Sequence, residues 1–228
     1  MSFANSKKFR SAGAVPLIQR GLLLALALAD LVLLALRLRP WSHIVDLPGE
    51  GTAGSDPAIC LVAYIVLIVW VSGNRNPSIR KGLLLGTLFG IPAGLLLAAH
   101  VLLAPSPSPT SLVLHMTLLV AAGLLWSVAG FRGARAADHF AMGIVSGAWS
   151  AMVSALFACG ASLAHIRLQA IPPQNLSTWT EHEALAFGSP ATQSLLHGLI
   201  AATGFLLICP LVGGALGMIC GLGQENRE

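Results

Sequence analysis

One aspartate and four histidines interrupt long apolar stretches of this sequence. Asp30 stands in "LLLALALADLVLLAL", His100 closes "KGLLLGTLFGIPAGLLLAAH", His115 lies in "SLVLHMTLLV", His165 in "CGASLAHIRL" and His197 in "SLLHGLIAA". A carboxylate beside neutral imidazoles can carry protons for a coupled transporter. Imidazoles converging from several helices can bind a metal or ligate haem, which would make His100, His115 and His197 the ligands. Any of these groups can line a substrate cavity. A single histidine at the rim of an apolar segment has a plainer use, with its ring on apolar surface and its polar edge in water.

The setting decides what these residue types cost. The 228 residues are 55% hydrophobic and 10% charged, with a mean hydropathy of +0.78. Soluble domains carry about 25% charged residues, so this chain has too few charges to cover a surface in water. The expected solvent for most of its surface is lipid. A net charge of +4 with 13 Lys and Arg scattered in short connections reads as a topology signal rather than a nucleic-acid footprint. No Walker A sequence, H-E-x-x-H or DNA-binding motif is present, and nothing in the pattern points to an enzyme. Cys60, Cys159, Cys209 and Cys220 form no C-x-x-C pair and read as small core residues.

Uncharged apolar runs predict six spans, approximately 17–36, 57–73, 82–104, 111–130, 139–165 and 193–222. The fold expected is an all-α transmembrane bundle of about six helices, forming a single membrane domain over 1–228. The first run follows Lys7, Lys8 and Arg10 as in a signal peptide, but "LRLRP" follows it in place of an A-x-A site, so an uncleaved helix is expected. With the N-terminus inside, the inner segments hold ten Lys and Arg and the outer segments three, Arg37, Arg39 and Arg167. That bias predicts cytoplasmic N and C termini, in a bacterial inner (plasma) membrane. The two long connections are both outer. In the second, "STWTEHEALAFG" carries a capping box at Thr180 and Glu183 and a stop at Gly188, which predicts a short interfacial helix with Trp179 at headgroup depth. Asn175 begins a formal glycosylation sequon on that side.

Small residues recur at helical spacing. Gly82, Gly86, Gly90 and Gly94 step along the third span, Gly143 and Gly147 along the fifth, and Gly213, Gly217 and Gly221 along the sixth. The fifth also carries Ser146, Ser150, Ser154 and Ser162. Apolar burial gains little between helices in lipid, so close backbone approach must drive packing, and glycine-zipper faces of this kind provide it. The same smooth faces, with Pro92 and Pro210, would let helices rock past one another. Spans three and six occupy corresponding places in the two halves of the chain, a weak sign of a three-plus-three repeat. "GIVSG" at 143–147 differs by one position from the G-x-S-G element of intramembrane serine proteases, and the small-residue stripe accounts for Ser146 without catalysis.

With odd spans running outward, Asp30 and the four histidines fall in the outer half of the bundle. A charged group at a helix centre costs about 2.5–3.5 kcal/mol, so Asp30 is expected to face the interior and to find a partner on another helix. The function expected is a transporter or permease with Asp30 and the outer histidines as its polar site. The alternatives are a metal- or haem-binding subunit using the same histidines, and a structural subunit docking other membrane subunits or a second copy. Lipid is an expected partner and nucleic acid is not.

Overall fold

The computed structural model describes residues 5–39, 55–74, 76–103, 109–137, 139–168 and 190–225, all helix apart from short turns and caps. The proposed interfacial helix within 177–188, Asn175, His43 and His182 lie outside them. The six helices are α1 (Asn5–Leu38), α2 (Ser55–Ser72), α3 (Pro77–Leu102), α4 (Pro109–Ala137), α5 (Phe140–Leu168) and α6 (Pro190–Glu225). Each contains a segment long and apolar enough to cross a bilayer.

Local chemistry sets several helix ends. Proline opens α3, α4 and α6 at a position where the missing N–H costs nothing. Asn76 caps α3, its side chain accepting from the Ser78 N–H at 2.9 Å. His139 does the same for α5: the Ala141 N–H donates to its Nδ1 at 3.1 Å. Helix α4 runs on to Ala137 through Gly130 and Gly133, past the point where hydropathy falls, because both glycines are buried against neighbouring helices.

Helix α5 is the core. Its apolar segment is 61% buried, against 17–44% for the other five, and it packs on α1, α3, α4 and α6. Helix α2 lies outside, against α1 and α6. The outer surface is apolar: Ile18 is 71% exposed, Trp70 75%, Val120 61% and Leu211 74%. A lipid-facing belt has this character, and a surface in water does not.

Glycines fix the closest approaches. A Cβ built at Gly82 would lie 2.6 Å from Met142 Cε, one at Gly90 2.7 Å from the Ser150 carbonyl, and one at Gly94 2.6 Å from the Phe157 ring, so α3 runs parallel to α5 along this face. Gly86 meets the Ser146 carbonyl in the same way. On the other side of α5, Gly143 and Gly147 face Gly217 and Gly213 of the antiparallel α6, and Gly221 faces Phe140. Gly130 of α4 meets Gly143 and Gly217 at one point, where three backbones come together. The serines fill the remaining space: Ser146, Ser150 and Ser154 are fully buried, and Ser146 is wedged between Gly82 and Gly133.

Candidate functional site

Asp30 is 2% exposed on the face of α1 that packs against α5. Its carboxyl fits because position 160 has no side chain: a Cβ there would fall 2.6 Å from Asp30 Oδ1. Oδ2 is buried without a hydrogen-bond partner. Two turns along the same face, Arg37 Nε donates to the Leu163 carbonyl at 3.0 Å. Helix α1 is therefore fastened to α5 at one end by a guanidinium on a backbone carbonyl. A step further in, it presents a bare carboxyl to a glycine notch. A buried acid with an unsatisfied oxygen costs stability.

His100 and His115 form a pair. Their rings meet edge to face with centroids 4.8 Å apart, and each Nδ1 is buried without a hydrogen-bond partner. They join the end of α3 to the start of α4. His165 is half-buried at the end of α5, and His197 is exposed near the start of α6. All four histidines thus lie at the end of the bundle where α3 and α5 finish and α4 and α6 begin. Among the described residues, no three His, Cys, Asp or Glu side chains come together as metal ligands. The geometry brings together the pair His100 and His115, and it sets Asp30 against Gly160 on α5.

Ser146 of "GIVSG" is fully buried, and its hydroxyl has no hydrogen-bond partner. A nucleophilic serine needs a base within hydrogen-bond reach, and this one is enclosed by glycines. The four cysteines are free thiols.

At the opposite end, a polar cluster emerges that the sequence pattern did not signal. Gln19 Nε2 on α1 donates to the Leu83 carbonyl at 3.0 Å and to the Thr87 hydroxyl on α3. Trp149 Nε1 on α5 donates to the same hydroxyl at 2.9 Å, and Thr87 donates onward to Leu83 O at 3.0 Å. Three helices are tied at one point. The signal available in the sequence was Gln19, a polar residue just inside the first apolar run, but its partners depend on helix rotation.

No family model matches the chain, and no curated protein or solved structure is significantly similar to it.

Proposed function

We propose that this chain is a multi-pass integral membrane protein of the transporter or permease type, with both termini cytoplasmic, in the inner membrane of a bacterium. Its moving part is α1 with α2, and its frame is the glycine-packed α3–α6 bundle. The observation that carries the reading is Asp30: a buried carboxyl with an unsatisfied oxygen, on a helix that touches the frame through few groups. Intramembrane acids of this kind mark ion and proton pathways. A proton or a small cation taken up at Asp30 changes what the carboxyl prefers to face, and α1 rocks on α5 about the Gly160 notch. The small-residue faces supply smooth surfaces for such motion.

Hydrogen–deuterium exchange of the protein in lipid nanodiscs across pH 5 to 8 tests this. Exchange in α1 and in the facing turns of α5 should depend on pH in the wild type and not in Asp30→Asn. Identical profiles would leave Asp30 as a packing residue and end the transporter reading. A second reading, a metal- or haem-binding subunit, is favoured by the paired His100 and His115, whose buried Nδ1 atoms have no hydrogen-bond partner. An absorption spectrum and metal analysis of the purified protein separate the two.

A further inference from the structure

At the end of the bundle remote from His100, His115, His165 and His197, a small open cleft lies between α1, α2, α3 and α5. Its lining includes Gln19, Arg20, Ser72, Arg80, Leu83 and Trp149. The neutral polar side chains of its lining already have partners. Gln19 and Trp149 donate to Thr87, and the Ser72 hydroxyl donates to the Ile68 carbonyl within its own helix. The two guanidiniums are different: among the described residues, neither Arg20 nor Arg80 makes a salt bridge with a carboxylate. A satisfied floor under two uncommitted arginines is a receptor for an anion with several oxygens, since the planar fork of arginine matches phosphate geometry.

The surroundings say which anion. Arg20 follows Leu17 and Ile18 on α1, which are 68% and 71% exposed, and Trp70 near the end of α2 is 75% exposed. The first uncharged apolar run of the sequence begins at about residue 17, and α2 ends at Ser72. The cleft therefore sits where the apolar belt stops, at the depth of phosphodiester groups, with apolar side chains beside it for acyl chains and an indole at the boundary. Exposed Lys81 follows Arg80 and adds positive charge at the same end.

We infer that this cleft binds the phosphate headgroup of an anionic phospholipid, held between Arg20 and Arg80 with its acyl chains along α1 and α2. The inference rests on the membrane reading of the chain and is independent of transport. An alkaline carbonate wash of membranes checks the membrane reading by itself.

The test is thermal unfolding of the detergent-purified full chain, titrated with dioleoylphosphatidylglycerol, with dioleoylphosphatidylcholine, or with inorganic phosphate. Phosphatidylglycerol should raise the Tm of the wild type saturably, while phosphatidylcholine and inorganic phosphate do so far less. Arg20→Gln with Arg80→Gln should abolish the rise. Arg80→Gln alone, at an exposed side chain, should weaken the apparent affinity about fivefold and carries the test if the double variant does not fold. Arg135→Gln, a basic residue on α4 at the same end, should leave the titration unchanged. The inference is overturned if both lipids act alike on the wild type, if the arginine variants respond as the wild type does, or if inorganic phosphate alone reproduces the rise, which would make the cleft a soluble-anion site.

Discussion

The Tyr64 hydroxyl on α2 donates to the Leu206 carbonyl on α6 at 2.6 Å, and Leu206 lies four residues before Pro210. Proline has no N–H, so it cannot donate to the carbonyl one turn back, and the helix is left with a buried acceptor that its own backbone does not satisfy. The only tyrosine of the chain meets that acceptor from a neighbouring helix. The break in α6 and the docking of α2 are one feature. Tyr64→Phe should therefore destabilise the protein by about 1 kcal/mol. In a Pro210→Ala background the helix supplies its own donor to Leu206, and the same change should cost less. Melting of the two single variants and the double variant in detergent measures the coupling, and additive effects would disconnect tyrosine from proline.

Glycines of one helix should divide by what faces them. A side chain at Gly217 would collide with the Gly143 backbone, whereas nothing lies within 4 Å of a Cβ at Gly204. Gly217→Ala should lower stability by roughly 1–3 kcal/mol. Gly204→Ala should be neutral or stabilising by up to ~1 kcal/mol, since alanine is the better helix former. Unfolding in detergent with increasing SDS reads both, and equal losses would remove the close contact between α5 and α6.

The carboxyl of Asp30 and the missing side chain of Gly160 should behave as one unit. Gly160→Ala places a methyl 2.6 Å from Oδ1 and should cost about 1–3 kcal/mol through overpacking. With Asp30→Ala present, the added methyl enters vacated space, and the combined loss should be smaller than the sum. Independent sites add within about 0.3–0.5 kcal/mol, so additivity in the melting data would show that the two do not touch.

Orientation is open to direct chemistry. Single cysteines at Ser106 and Ser78, in a background without the native four, would lie on opposite sides of the membrane. An impermeant thiol reagent on intact cells should label position 106 and spare 78. The reverse pattern would place both termini outside and put the Arg20 and Arg80 cleft in the outer leaflet.

The helices were legible because hydropathy acts on every residue of a span. The second apolar run, 57–73, and α2, Ser55–Ser72, differ by two residues at the start and one at the end. Helix α4 outran its expected end at 130 because Gly130 and Gly133 are paid for by contacts rather than by hydropathy. The spacing of Gly82 to Gly94 told that a backbone-close face exists, but not that α5 is what meets it. Relative rotation of helices is invisible in one sequence. For that reason Asp30 could be named in advance and Gly160 could not. The link from Gln19 to Thr87 and Trp149, like the arginine cleft above it, needs three helices in place before any of its residues stands out.

The notch at Gly160 also bears on how the chain is made. On the proposed membrane reading, α1 leaves the ribosome and reaches the insertion machinery long before α5 has been synthesised, so Asp30 would enter the bilayer with nothing to shield it. Until its groove arrives, the first segment depends on the strong apolar character of its other residues, on a lateral wait inside the insertion channel, or on an assisting chaperone. The last helices to emerge complete the environment of the first. A nascent chain truncated before α5 should keep α1 loosely held and open to extraction, and release into lipid should become firm only once Gly160 is in the membrane.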